Sequence, residues 1–153
     1  MTVRVEHRIG VAAPPHEVWK LIGNLDGWPD WNPLYTTVEG KLGFGAPLTL
    51  TVVLPGQTPR TIHPIVDSWT PDELIHWRLK MMGGLLTSLR YIEIEKLSEE
   101  GCIFSNGEIF DGFLGRRLPR SMQRQLRAGF AQLGETVKAK VEAAWQPGQD
   151  APT

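Results

Sequence analysis

The chain has 153 residues, of which 41% are hydrophobic and 22% charged, and this composition describes one ordinary domain with a core of its own. The formal net charge of −1 gives no overall attraction to nucleic acid. No apolar run approaches the roughly 18 residues that a transmembrane helix needs. We therefore expect no nucleic-acid partner and no stable insertion into a membrane.

The cysteine and histidine content argues against a metal centre. Cys102 is the single cysteine, and the four histidines show no paired ligand spacing. No glycine-rich phosphate loop occurs either, so we expect neither a metal nor a cofactor. The first residues, MTVRVEHRIGV, lack the compact apolar stretch of a signal peptide, which predicts a cytoplasmic protein.

The N-terminal third predicts a strand followed by two short helical pieces. Residues 2–11 alternate between apolar and polar side chains, which is the period of a half-buried strand. The segment APPHEVWKLIGN then has apolar residues at helical spacing behind two prolines, and predicts a short helix ending near residue 23. In LDGWPDWNPLY, two tryptophans need burial among helix-breaking residues, so a helical turn or loop over the core is predicted.

The rest of the chain predicts a meander and a long helix. Six strands are predicted near residues 35–39, 46–54, 60–69, 74–81, 86–97 and 102–112. Apolar residues spaced by three or four then predict a helix over residues 119–145, which needs the concave face of a sheet as its partner. The prediction is an α+β helix-grip: a curved seven-stranded antiparallel sheet around a long C-terminal helix, with two short helices after strand one. Residues 1–146 would form a single domain, and residues 147–153 a disordered tail.

Several stretches resemble one known superfamily. VWKLIGNLDGWPDWNP looks like the Val-Trp and Trp-Asn-Pro signature of START-like, Bet v 1-like domains, and GEIFDGFLG carries a similar Glu-x-Phe-x-Gly pattern. LIHW and GLLTSLRYIEIEKLSEEG resemble other strands of these domains. Over residues 3–145 the chain is thus similar to the SRPBCC superfamily of the polyketide cyclase/dehydrase and lipid transport type. The resemblance implies a deep cavity between the sheet and the long helix.

Glu108 interrupts an otherwise apolar strand, and the register of its hairpin offers a reason. If the short SEEG turn closes the hairpin, paired residue numbers sum to 198 and Arg90 faces Glu108. The same register places Ile92 opposite Asn106 on the inner face, whereas a slip of one residue would turn Ile92 to solvent. We therefore predict that Arg90 and Glu108 meet on the inner face of the sheet.

The role of this pair has two interpretations. It is either a structural ion pair that fixes the register, or the polar end of an apolar pocket. In the second case Arg90 would bind a carboxylate or enolate oxygen and Glu108 would orient it. His7 has the inward parity of the first strand, and is either a third catalytic candidate or an ordinary core histidine.

A ligand in the cavity would meet residues on the inner faces of the strands and the long helix. The candidate ligand contacts are Trp77, Leu79, Arg90, Ile92, Asn106, Glu108, Phe110, Met122, Leu126 and Phe130. Trp77 is the tryptophan best placed to line a site, although a plain core position is equally compatible with its pattern.

Two surface features also have alternatives. The segment KMMGGLL predicts a flexible apolar lip over the cavity mouth, or a plain hairpin turn that packs on a neighbour. Five arginines between residues 116 and 127, with no acid among them, predict a solvated helix face, or a contact with anionic lipid or a phosphorylated ligand.

Three classes of function follow. The first is a binding or carrier protein for a small apolar, oxygenated ligand. The second is a cyclase/dehydratase-like enzyme without a metal, in which Arg90 stabilises an enolate and Glu108 or His7 moves a proton. The third is a protein-interaction module that resembles co-chaperone domains. The scaffold hosts all three, so fold alone does not choose between them.

Overall fold

A computed structural model describes residues 2–147. The elements, in chain order, are β1 (Val3–Val11), α1 (Pro15–Ile22), a 3₁₀ helix (Leu25–Asp30), β2 (Tyr35–Glu39), β3 (Thr49–Val52), β4 (Arg60–Ile62), β5 (Ile65–Thr70), β6 (Leu74–Met81), a 3₁₀ turn (Met82–Gly84), β7 (Leu86–Ser98), β8 (Gly101–Asp111), α2 (Gly112–Gly115) and α3 (Arg120–Ala144). The predicted disordered tail lies outside the described residues except for Pro147.

The short helices after β1 form where they are predicted. α1 has proline in its first turn and ends before Gly23, where a Cβ atom would lie 2.6 Å from the Trp19 ring. The following 3₁₀ helix buries Trp28 completely, and the indole Nε1 of Trp28 donates to the carbonyl of Ile22 at 3.0 Å. The hydrogen bond satisfies the one polar atom of that tryptophan, so its ring serves as core.

The strands form two antiparallel sheets rather than the single seven-stranded sheet that the sequence predicts. The larger sheet has the order β1-β8-β7-β6-β5, and β2-β3-β4 form a sheet of three strands. The predicted strand 60–69 is divided because Pro64, which has no backbone N–H, lies between β4 and β5. An isolated bridge between Pro47 and Ile65, together with neighbouring backbone hydrogen bonds, joins the segment before β3 to the start of β5. The prediction of seven strands in one sheet was therefore wrong, although the helix-grip architecture is confirmed.

The register of the central hairpin agrees with the prediction. Arg90 is paired with Glu108 and Ile92 with Asn106 across β7 and β8. The pairing is irregular only next to the turn, between Lys96 and Ser98. The inner face of this hairpin therefore carries the charged residues in the middle of the larger sheet.

The long helix α3 has 25 residues and matches the predicted 119–145 to within one residue at each end. Two glycines allow it to approach its neighbours closely. A Cβ atom at Gly129 would lie 3.0 Å from Leu34 and Leu54, and one at Gly134 would lie 2.8 Å from the ring of His7. None of the helices within residues 2–147 is long and apolar enough to cross a membrane.

Candidate functional site

A cavity of about 110 Å³ lies between α3 and the inner faces of both sheets. Its wall is mainly apolar. Eight of the predicted ligand contacts line it: Trp77, Leu79, Arg90, Glu108, Phe110, Met122, Leu126 and Phe130. The remaining lining residues were not predicted as ligand contacts, although two of them belong to the predicted lip: Leu34, Tyr35, Val52, Leu54, Arg60, Ile62, Met81, Leu86 and Leu118.

Three other predicted site residues do not line the cavity. Ile92 and Asn106 are completely buried and are not among the residues that line the cavity. His7 pairs with Asn106 across β1 and β8, and its ring faces Gly134 of α3. The Nδ1 atom of His7 is buried and has no hydrogen-bond partner within the described residues. His7 thus belongs to the packing of α3 on β1, away from the cavity wall that Glu108 shares with Arg90.

Arg90 is 2% exposed and its guanidinium is held by four acceptors. Nε donates to the hydroxyl of Tyr35 at 3.0 Å, and Nη2 donates to Oδ1 of Asn106 at 2.9 Å. Nη1 donates to the backbone carbonyls of Tyr91 and Gly107, at 2.9 and 3.0 Å. A guanidinium has five N–H groups, so these bonds use four of them.

Aromatic rings enclose the same guanidinium. Its Cζ atom lies 4.3 Å from the centroid of the Phe130 ring, 5.8 Å from Trp77 and 6.0 Å from Tyr35. These distances suit cation–π attraction, which is stronger away from water. Together with the hydrogen bonds, the rings fix Arg90 in one position.

The predicted direct ion pair between Arg90 and Glu108 is not formed. The two residues are opposite each other, but no contact within 4.0 Å joins their charged atoms among the described ion pairs. The reason is the reach of the arginine side chain, which extends to backbone and side-chain acceptors beyond its strand partner. The register prediction was correct, and the inferred contact was not.

Glu108 lies deep in the protein but keeps some accessible surface because it faces the cavity. Burial raises the pKa of Glu108 above its ordinary value, and the charge of Arg90 opposes that rise. The nearby hydroxyl of Ser88 also favours the charged form of Glu108. The Ser88 Oγ atom is not, however, within a well-formed hydrogen bond to any of the described residues. Burial thus favours the protonated form of this carboxyl more than water does.

Tyr35 supplies a second polar atom at this end of the cavity. Its hydroxyl oxygen accepts from Arg90, which leaves the hydroxyl hydrogen without an assigned acceptor among the described hydrogen bonds. Burial raises the pKa of Tyr35, so the hydroxyl stays protonated. Parity within a strand could not have identified this residue, because its proximity to Arg90 depends on the packing of the small sheet against the large one.

The antiparallel strands wrap around the long helix α3, and an apolar cavity with one polar end lies between them. These features define a helix-grip protein with an internal pocket. The family model described as polyketide cyclase / dehydrase and lipid transport matches residues 2–145. The chain belongs to this family, and the resemblance found in the sequence is confirmed. Comparison with curated proteins by sequence gives no significant match.

Solved structures share the fold. Norcoclaurine synthase from Thalictrum flavum, in complex with dopamine and hydroxybenzaldehyde, is 16% identical with a TM-score of 0.72, over 95% of this chain and 90% of that one. The Zhui aromatase/cyclase from Streptomyces sp. R1128 is 18% identical with a TM-score of 0.75, over 97% and 99% of the two chains. A START superfamily protein from Mycobacterium smegmatis is 16% identical with a TM-score of 0.73, over 93% and 99%. At these identities the likeness concerns the fold alone.

Proposed function

We propose that this protein binds a small, mainly apolar ligand in the cavity between the sheets and α3, with a neutral oxygen atom of the ligand at Glu108. The observation that carries the proposal is an apolar cavity with one carboxyl group, Glu108, which forms no ion pair within the described residues although the charges of Arg90 and Arg60 act on it. A few placed polar groups in an apolar pocket are typical of small-molecule sites.

The size of the cavity limits the ligand. An engineered apolar protein cavity of about 150 Å³ holds a benzene ring. At about 110 Å³, this cavity suits a group of similar size, such as one ring or a short branched chain. A longer ligand would have to extend out of the cavity.

The polar end favours a carbonyl or hydroxyl oxygen over a carboxylate. Four of the five N–H groups of Arg90 already have acceptors, so the arginine has little capacity left for an anion. A carboxylate would also meet Glu108. A neutral oxygen can instead accept from the Tyr35 hydroxyl, and from the Glu108 carboxyl when that group holds a proton, which its raised pKa favours.

Calorimetric titration with three probes of one size tests this proposal: benzaldehyde, toluene and benzoate. Benzaldehyde should bind more tightly than toluene by about fivefold, since one net hydrogen bond contributes about 1 kcal/mol. In Glu108→Leu this preference should shrink, because only the Tyr35 hydroxyl remains as a donor, while toluene still binds. Benzoate binding more tightly than benzaldehyde would contradict the proposed chemistry.

A matched pair of variants on α3 tests the location. Met122→Trp should fill the cavity and abolish binding of every probe. Ala139→Trp places the same side chain on the exposed face of that helix and should bind like the original protein. If Met122→Trp binds normally, the probes occupy another place and the proposed cavity site is wrong.

A second candidate function is catalysis of the cyclase/dehydratase type, and the raised pKa of a carboxyl facing the cavity favours it. Glu108 would act as general base and acid, and the Tyr35 hydroxyl would donate to the developing enolate oxygen. Exchange of the methyl protons of acetophenone in deuterated water, followed by NMR, measures such proton transfer directly. The original protein should accelerate this exchange, and Glu108→Gln should not. If the original protein gives no exchange above the rate in buffer, catalysis is excluded and binding remains the proposed function.

A further inference from the structure

Large exposed apolar side chains are concentrated on two adjoining segments, the β6–β7 connection and α2, close in the chain to residues that line the cavity. Met82, Leu85 and Phe113 are 65%, 50% and 60% exposed, and Leu114 is 37% exposed. We call these four residues the apolar rim. They make up four of the seven large hydrophobic residues that are exposed in the described part of the chain. Such a concentration on one surface indicates a contact with an apolar partner.

The rim residues lie on two segments, α2 and the β6–β7 connection, that contact each other through the backbone. The amide of Leu114 donates to the carbonyl of Leu85 at 2.9 Å, which joins α2 to the β6–β7 connection. Gly112 permits this approach, because it has φ of +84° and a Cβ atom there would lie 2.6 Å from the Leu85 carbonyl oxygen. The two segments that carry the rim residues are therefore held side by side.

Unpaired positive charge lies next to the rim. Arg117 stacks on Phe113, with its Cζ atom 4.1 Å from the ring centroid. Arg120 and Arg124 follow on the exposed side of α3, one turn apart. These three arginines form no salt bridge within the described residues, and the sequence has no acid between Asp111 and Glu135.

The rim also continues into the cavity. Met81 and Leu86, which line the cavity, are the chain neighbours of Met82 and Leu85 in the rim. Leu118 also lines it, and connects α2 to α3. The rim and the cavity wall therefore adjoin at these positions of the chain.

We propose that the rim and Arg117, Arg120 and Arg124 form a docking surface for an anionic lipid bilayer. The rim side chains have no hydrogen-bonding groups of their own, so the acyl layer suits them without directional contacts. The arginines would lie at the depth of the lipid phosphates, which a guanidinium binds in a bidentate manner. The interaction is peripheral and does not depend on the identity of any ligand.

Flotation of the full chain with vesicles tests the docking surface. The protein should bind vesicles of phosphatidylcholine mixed with phosphatidylglycerol, and bind less as salt is added, because exposed charges are screened. Vesicles of phosphatidylcholine alone should bind much less. No binding to the mixed vesicles would overturn the proposal.

Two sets of variants separate charge from apolar contact. Substituting the three arginines with glutamine should weaken binding about fivefold for each one removed. Lys41→Gln, Lys140→Gln and Arg8→Gln together change the net charge equally on other exposed positions and should bind normally.

The apolar set is Met82→Ser with Phe113→Ser, compared with Phe44→Ser and Leu97→Ser elsewhere on the surface. The rim variant should bind at least tenfold more weakly than its control. If only the arginine variants lose binding, the surface recognises an anionic partner without a bilayer, and the proposal is wrong.

A fluorescent label gives an independent measurement that does not need a destabilising substitution. Cys102 is buried, so a thiol-reactive, environment-sensitive dye should label Leu85→Cys selectively. Its emission should shift to the blue on mixed vesicles, whereas a dye at Leu97→Cys should not respond. An unchanged spectrum at both positions would place the rim in water and refute the docking geometry.

Discussion

Replacing Arg90 with methionine should reveal how much of the stability depends on this one guanidinium. Methionine fills a similar volume without charge or donors. The carbonyls of Tyr91 and Gly107 would then lose a donor, as would Asn106. Glu108 would lose the larger of two cationic influences that favour its charged form, since Arg60 also acts on it. Breaking a buried charged network from one side costs about 3–5 kcal/mol, and we expect a loss of unfolding free energy of this size.

The matching change at Glu108 should behave differently. Glu108→Gln keeps the shape of the side chain and removes the charge, while Arg90 keeps all four of its acceptors. The ionised carboxyl is unfavourable in this place, since burial raises the pKa of Glu108. We expect unchanged or higher stability at neutral pH, with a gain of about 1.4 kcal/mol for each unit by which the pKa is raised.

The same shift predicts how stability depends on pH. A raised pKa means that the native carboxyl binds its proton more tightly than the unfolded one, so the native state holds more protons above the ordinary value of 4.5. This contribution therefore lowers stability as pH rises from 4.5 through the native pKa, and vanishes below 4.5. Glu108→Gln should have a flatter stability profile over that range.

Urea denaturation of both single variants and of the double variant tests this account. The double variant should be less destabilised than Arg90→Met, because the stranded carboxylate has been neutralised, and the cycle gives the coupling energy between the two residues. Glu108→Gln costing as much as Arg90→Met would refute the reasoning, since that result requires a direct ion pair.

Three further predictions concern packing, local stability and the buried thiol. Gly134→Ala should destabilise the protein by about 1–3 kcal/mol despite better helix propensity, because the new methyl group meets His7 at 2.8 Å; adding His7→Ala should restore stability. The amides of Gly83 and Gly84 should exchange with deuterium faster than those of β6 and β7, and strong protection there would contradict a flexible lip. Burial raises the pKa of Cys102 to about 11. A thiol reagent at mildly alkaline pH should therefore modify this cysteine only at the rate at which the protein unfolds. Rapid modification of the native protein would contradict this prediction.

Local patterns were sufficient for most of the fold. The period of two in β1 and the apolar stripe of α3 each describe a face that has to be buried, and these elements lie where the sequence predicts them. The β7–β8 register also follows from local information, because a one-residue slip would expose Ile92. The division into two sheets was not predicted, because residues 60–69 were interpreted as one strand from their apolar pattern although Pro64 lies within them.

The site was predicted less completely, because its contacts cross between elements. Parity places Arg90 and Glu108 on the inner face, but it does not describe where a long side chain ends. The acceptors of Arg90 include two backbone carbonyls and a tyrosine 55 residues away in sequence. No spacing rule identifies such partners, and so the contact with Tyr35 becomes visible only in three dimensions.

The arrangement assigns the two charged residues to different tasks. Arg90, on the larger sheet, holds Tyr35 of the smaller sheet and Asn106, and Asn106 in turn donates to the carbonyl of Phe130 in α3 at 3.1 Å. Three layers of the fold thus meet at one guanidinium, which leaves it little freedom to follow a ligand. Glu108 forms no ion pair within residues 2–147, and we expect its carboxyl to be the group that responds to whatever occupies the cavity. The chemistry of the cavity can therefore vary at position 108 without loss of the architecture that Arg90 maintains.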